Sequence, residues 1–145
     1  MNGLDTQILV PAAVLLVWTM VVMAWMMAGR MANFRANKVA MGRLPRGFRA
    51  SDAGDTLSGR REWPAHNYMH LMEQPTVFYP CIILLALARY GAFDVVVAWV
   101  YVALRVAHSL WQNLVNTLPV RAGLFMAGSL ALFILTIRAL FSLIS

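Results

Sequence analysis

The residues best suited to chemistry lie where an apolar run begins in the middle of the chain. His66, His70 and Glu73 follow one another at intervals of four and three residues, so a helix through them carries all three on one face. Imidazole and carboxylate groups at this spacing could transfer protons, hold a charged ligand or ligate a metal ion. Residues 76–88, which follow, carry no charge. Ionisable groups beside such a run are costly to bury, so their default interpretation is functional.

A second polar stripe follows in the next apolar segment. Arg105, His108 and Gln112 are three and four residues apart and also share a helix face. Two antiparallel helices can bring the two stripes together, and Glu73 with Arg105 is then the natural buried ion pair. Such a pair can be purely structural, because it neutralises two charges and fixes the helix register. Spacing alone leaves the structural and the functional interpretations open.

The histidines also raise the question of a metal or haem site. His66 and His70 could supply two ligands from one helix face, with His108 or Glu73 completing the set. The sequence offers no second histidine pair for a facing helix, and Cys81 is its one cysteine. The pattern therefore predicts no metal centre.

The composition indicates what kind of protein must position these groups. Of the 145 residues, 61% are hydrophobic and only 12% are charged, and the mean hydropathy is +0.66. A soluble domain of this length could not bury so much apolar surface, so the chain is predicted to be an integral membrane protein of the all-α class. Four transmembrane helices are predicted, at residues 8–28, 67–88, 93–115 and 122–144, and they are expected to form a left-handed four-helix bundle.

Two of these spans must include charged residues. Residues 75–88, the uncharged part of the second span, number only 14. A hydrocarbon core about 30 Å thick needs about 20 helical residues, so this span must begin near residue 67 and carry His70 and Glu73. The third span must likewise continue through Arg105 and His108. The polar stripes therefore belong to membrane helices.

The loop at residues 29–62 predicts the orientation. It holds eight of the twelve Lys and Arg residues: Arg30, Arg35, Lys38, Arg43, Arg46, Arg49, Arg60 and Arg61. The positive-inside rule places this loop in the cytoplasm, both termini on the non-cytoplasmic side and both polar stripes in the cytoplasmic half. Topology explains the basic charge, so no nucleic-acid binding is expected. The loop could simply attract anionic lipid head groups, or Arg30 could face inward and bind an anion.

These features together resemble the MAPEG superfamily, the membrane-associated proteins of eicosanoid and glutathione metabolism. The second span is entered by Glu-Gln-Pro-Thr-Val-Phe at residues 73–78, similar to the family's Glu-x-Pro-x-x-Phe. Arg-Val-Ala-His-Ser at residues 105–109, followed by Asn116 and Arg121, is similar to the pattern of bacterial members. The resemblance covers nearly all of residues 1–145, which are expected to form a single domain.

The resemblance implies a homotrimer of such bundles in the bilayer, and the bacterial inner membrane as its location. Catalytic members bind glutathione between subunits on the cytoplasmic side, and an arginine stabilises its thiolate; Arg121 matches that catalytic residue. The glutathione-binding positions implied are Arg30, His66, His70, Glu73, Arg105 and His108. His66 and His70 stand where glutathione-handling members usually carry Arg and Asn, and His108 stands where the eukaryotic enzymes carry Tyr.

Two classes of function follow from the resemblance. One is a glutathione-dependent transferase or peroxidase that acts on lipophilic substrates at the cytoplasmic side of the bilayer. The other is a non-catalytic membrane scaffold, or an accessory subunit of a larger membrane complex. A small multidrug exporter with Glu73 as its proton site is disfavoured, because that family places its glutamate in the middle of the first span, which is uncharged here.

Overall fold

Five α-helices make up most of the chain in the computed structural model, which describes residues 6–144 apart from the side chains of Ser51, Asp55 and Thr56. The helices are α1 (Leu9–Ala36), α2 (Trp63–Glu73), α3 (Pro75–Leu87), α4 (Ala92–Leu114) and α5 (Leu118–Ile144). Short 3₁₀ turns at Met41–Arg43, Ala50–Leu57 and Gly59–Glu62 connect α1 to α2. No strand occurs in the described residues, which confirms the all-α prediction.

Four helical stretches are long and apolar enough to cross a membrane: Leu9–Ala36, Gly59–Leu87, Ala92–Leu114 and Leu118–Ile144. The second stretch contains both α2 and α3. Its helix is interrupted at Gln74, because Pro75 has no N–H to donate and its ring crowds the preceding turn. The prediction of a multi-pass membrane protein with four spans is confirmed.

The first helix is longer than its predicted membrane span. α1 continues to Ala36, eight residues beyond residue 28, so Arg30 and Arg35 lie on a helix and not in a loop. The sequence prediction ended the span at the first charge, which marks the edge of the hydrocarbon but does not stop a helix. The helix ends at Ala36, Asn37 caps it, and Lys38 follows with a left-handed φ of 52°.

The helices pack through one stripe each and leave the remaining apolar side chains outside. On α1 the stripe includes Leu15, Val22 and Met26, all buried. Large apolar side chains such as Val17 (65% exposed) and Phe133 (62% exposed) cover the outer faces. Patches of this extent are unusual on soluble monomers and are suited to lipid, so the bundle contacts the bilayer through them.

An ion pair joins α4 to α5 at the end of the bundle opposite the long connection. Arg138 Nε and Nη2 donate to the two carboxylate oxygens of Asp94 at 2.8 and 3.1 Å. Asp94 is fully buried and also accepts a hydrogen bond from the Gly91 N–H at 2.9 Å. This charge-assisted arrangement fixes the register of the two helices. The opposite end, which carries residues 37–62, is called the basic end below.

Candidate functional site

The polar face of α4 is buried against α2 and α5 in the half of the bundle nearer the basic end. Arg105, His108, Ser109 and Gln112 are each at most 2% exposed, and Asn67 of α2 is fully buried beside them. Their spacing of three and four residues keeps them on one helix face. The predicted convergence of polar groups at this end is therefore present.

Arg105 is the largest fully buried side chain of the cluster. Its Nε donates to Tyr101 Oη at 3.3 Å, and its Cζ lies 5.7 Å from the Tyr101 ring centroid and 5.2 Å from that of Phe125. Aromatic faces stabilise a guanidinium through cation–π attraction. Nη1 and Nη2, however, have no hydrogen-bond partner among the described residues. Buried donors are almost always paired, so these two nitrogen atoms of Arg105 are unusual and are free to bind a ligand.

The predicted ion pair between Glu73 and Arg105 is wrong. Glu73 is exposed, and no salt bridge between the two occurs within the described part of the chain. The reason is rotational: the buried face of α2 runs through Asn67 and Leu71, whereas Glu73 lies off that face. Glu73 is also the last residue of α2, directly before the break at Gln74. Its carboxylate therefore points away from the interior of its own bundle.

Two of the predicted histidines do meet inside the bundle. The rings of His70 and His108 are 5.8 Å apart between centroids, and His108 lies 6.2 Å from Phe125. The Phe125 ring also lies 5.2 Å from Arg105 Cζ, so three of the seven predicted site residues, His70, Arg105 and His108, lie together in the half of the bundle nearer the basic end.

Arg121 is held by the turn between α4 and α5. Its Nη1 donates to Asn116 Oδ1 at 2.7 Å, and Asn116 adopts a left-handed φ of 59° that closes the turn. Asparagine tolerates this conformation better than most residues. The contact explains the five-residue interval between the two, and it fixes the position of a half-buried guanidinium at the start of α5.

Arg30 has a protein partner. Its Nε and Nη2 donate to Glu62 Oε1 at 3.2 and 3.0 Å, which fastens α1 to the 3₁₀ turn before α2. Arg30 and His66 both line a cavity of about 300 Å³ on this side of the bundle. Arg30 therefore shares a cavity wall with His66, and the anion it binds within the chain is Glu62.

Several polar contacts of the site were not predicted from the sequence. Ser109 Oγ accepts hydrogen bonds from Asn67 Nδ2 at 2.5 Å and from Trp18 Nε1 at 3.0 Å, so one hydroxyl joins α1, α2 and α4. Gln74 Nε2 donates to Ser129 Oγ at 2.6 Å and joins the helix break to α5. Part of the signal was available in the spacing, because Asn67, Leu71 and Pro75 follow one another at intervals of four residues and so share a helix face.

No group of three or more His, Cys, Asp and Glu side chains in the described residues lies close enough together to hold a metal ion. The paired histidines have arginines as neighbours, which would repel a cation. Their surroundings suit an anionic or zwitterionic organic ligand better than a metal.

Comparison with known proteins agrees with this architecture. A family model described as the MAPEG family matches residues 8–141, nearly the whole chain. Neither the curated proteins nor the solved structures contain a significant match.

Proposed function

Because the chain belongs to the MAPEG family, we propose that it binds glutathione at the basic end and uses its thiol to attack lipophilic substrates. The observation that carries the proposal is the meeting of His70, His108 and Arg105 inside the bundle, where two nitrogen atoms of Arg105 have no hydrogen-bond partner among the described residues. The positive-inside rule puts this end in the cytoplasm, where glutathione is available.

The charges of the site fit those of glutathione. The tripeptide carries two carboxylates, one ammonium group, two amides and a thiol. Arg121 and the two unpartnered Nη atoms of Arg105 supply donors for carboxylates, and the exposed Glu73 supplies an acceptor for the ammonium. His70 Nδ1, which is buried and has no partner in residues 6–144, supplies a further polar atom.

Arg121 is the residue proposed to stabilise the thiolate. A free thiol of this kind has a pKa near 8.5, and a neighbouring guanidinium favours the ionised form. Only Nη1 of Arg121 is used by Asn116, so its other donors can reach the sulfur. Arginine suits this task because it stays charged beside hydrocarbon.

Two reactions follow from a stabilised thiolate. In conjugation, the sulfur forms a bond to an electrophilic carbon of the substrate, and either a leaving group departs with the electron pair or the adduct takes up a proton. In peroxide reduction, two glutathione thiols are oxidised to one disulfide while a lipid hydroperoxide is reduced to its alcohol and water. The apolar outer faces of the helices let such substrates arrive from the bilayer.

The outward position of Glu73 and His66 supports a site shared between subunits. Both side chains are exposed in a single bundle although they belong to a membrane helix, where unpaired charge facing lipid is costly. A homotrimer would place a neighbouring subunit against this face of α2. Glutathione would then lie between subunits, in the bacterial inner membrane.

Glutathione binding to protein purified in detergent tests the proposal. Isothermal titration is expected to give saturable binding, which Arg121→Ala abolishes. Arg46→Ala is the matched control, because Arg46 is an exposed loop residue at the same end, and its binding should equal that of the unchanged protein. Absence of binding at millimolar glutathione would refute the proposal.

A non-catalytic role is the second candidate, favoured by the enclosure of Arg105. Arg105 is only 1% exposed, and the hydrogen bonds that Ser109 accepts hold three helices together. On this hypothesis the polar cluster only sets helix register in a scaffold or an accessory subunit of a larger membrane complex. Substitution of Arg121 would then leave every thiol-dependent activity of the membrane fraction unchanged.

A further inference from the structure

A second cavity at the basic end lies between α1, α4 and the turn that precedes α2. Its volume is about 440 Å³, and its walls include Trp25, Gly29, Arg60, Arg61 and Asn113. Small-molecule sites in proteins fall between about 300 and 1,000 Å³. None of the residues predicted for the glutathione site lines it, so this cavity is distinct from the proposed glutathione site.

Asn113 is the feature that points to a ligand. It is 4% exposed, and neither its Oδ1 nor its Nδ2 has a hydrogen-bond partner in the part of the chain that the structure describes. A buried amide without partners is costly, since each unpaired group forfeits about 1–3 kcal/mol. An amide kept at this position, lining a cavity of this size, is suited to a polar group that enters from outside.

The two arginines give the cavity its charge. Arg60 and Arg61 are exposed at its mouth, and none of the lining residues, all of which are described, is acidic. Arg60 is oriented by its Nη2, which donates to the Leu114 carbonyl at 2.6 Å, and by Trp63, whose ring centroid lies 5.4 Å from its Cζ. Its remaining donors are thereby presented to an anion.

Gly29 lets the turn that precedes α2 pack closely against the backbone of α1. A Cβ at Gly29 would overlap the carbonyl oxygen of Arg61, so only glycine permits the observed contact. The contact places Arg60 and Arg61 against α1, beside the half-buried indole of Trp25. Arginine donors therefore lie next to an apolar and aromatic wall of the cavity.

The opposite end of the bundle offers a useful contrast. A cavity of about 430 Å³ there is lined by Arg89 and Arg138 among others, but Arg138 is already bound by both oxygens of Asp94. One of the two arginines there, Arg138, is neutralised by the protein, whereas neither Arg60 nor Arg61 has an ion-pair partner among the described residues. The asymmetry matches a cytoplasmic leaflet that carries anionic lipid.

We infer that the cavity formed by Trp25, Gly29, Arg60, Arg61 and Asn113 binds the phosphate head group of an anionic phospholipid from the cytoplasmic leaflet. Arg60 and Arg61 donate to the phosphate oxygens, and the Asn113 amide pairs with a hydroxyl of the head group, which phosphatidylglycerol carries and phosphatidylcholine lacks. The acyl chains lie along the outer face of α1 below Trp25. Basic pockets between membrane helices on this side of a bilayer are suited to such head groups.

Tryptophan quenching by brominated lipid tests this inference in the intact protein. Brominated phosphatidylglycerol is expected to quench fluorescence with an apparent affinity at least about tenfold above that of brominated phosphatidylcholine. Asn113→Leu, which changes no charge and keeps the side-chain volume, should remove most of this preference. Arg60→Gln with Arg61→Gln should do the same, and this exposed pair serves if Asn113→Leu fails to fold.

Arg43→Gln with Arg46→Gln is the matched control, since it removes the same charge from exposed positions at the same end. The two double variants could lose the preference for phosphatidylglycerol equally while Asn113→Leu keeps it. That result would show attraction to surface charge alone and would overturn the inference. Binding of inorganic phosphate without any lipid preference would overturn it too. Displacement of brominated phosphatidylglycerol by millimolar phosphate would support it, because both ligands present the same phosphate chemistry.

Discussion

Replacement of Arg105 by methionine distinguishes two roles of this residue: a hydrogen-bond donor that is free to bind a ligand, and one half of a structural ion pair. Methionine has a similar reach and no polar hydrogen-bond donor. The change removes one hydrogen bond of 3.3 Å to Tyr101, worth about 1.5 kcal/mol at this length, and two aromatic contacts of about 0.5–1 kcal/mol each. It also removes two unpartnered buried donors, which cost about 1–3 kcal/mol each.

The sum of these effects is small in the destabilising direction. The free energy of unfolding is expected to change by an amount between a loss of about 1.5 kcal/mol and a gain of about 3.5 kcal/mol. If Arg105 instead formed a buried ion pair, as its spacing from Glu73 suggested, its removal would cost about 3–5 kcal/mol. At about 2–4 °C per kcal/mol for a chain of this size, the ion pair predicts a fall in Tm of about 6–20 °C.

Thermal unfolding in detergent, followed by circular dichroism, measures the difference. Arg105→Met is expected to change Tm by no more than about 6 °C downward, and to raise it if the two free donors dominate. The same variant should lose glutathione binding. A fall in Tm beyond about 10 °C, or strong coupling between Arg105→Met and Glu73→Gln in a double-mutant cycle, would refute the reasoning.

Three further changes are predicted from single contacts. Ser109→Ala removes the acceptor of Trp18 Nε1 and the nearer of the two acceptors of Asn67 Nδ2, which keeps the Ser109 carbonyl at 3.4 Å. It should lower the free energy of unfolding by about 1–3 kcal/mol, measured by thermal denaturation; an unchanged Tm would contradict it. Gly29→Ala forces the Arg61 carbonyl away from α1 and should cost about 1–3 kcal/mol, with the preference for anionic lipid weakened in the quenching assay. Asp94→Asn breaks the bidentate contact with Arg138 and should lower Tm by several degrees, while glutathione affinity stays the same. Asp94→Glu should partly restore the Tm.

Much of the fold could be predicted because hydropathy reports directly on the solvent of each helix. The four spans and the polar groups of α2 and α4 follow from the composition and from spacings of three and four residues. The extent of α1 could not be predicted that way, since Arg30 marks the edge of the hydrocarbon without ending the helix. The break before Pro75 was also missed, because membrane helices often continue through proline.

The site was harder to predict than the fold, because spacing gives a shared face but not the direction in which that face points. His66, His70 and Glu73 share a face of α2, yet the buried face of that helix passes through Asn67 and Leu71. A rotation of about one residue, roughly 100°, therefore separates a buried ion pair from an exposed carboxylate. The subunit contacts of the proposed trimer lie beyond what one chain's periodicity reports.

The most direct test is an experimental density map of the protein in lipid nanodiscs with glutathione. A tripeptide is predicted between two subunits, with its thiol beside Arg121 and its ammonium group at Glu73. Lipid tails in that cleft with no tripeptide would contradict the proposed function.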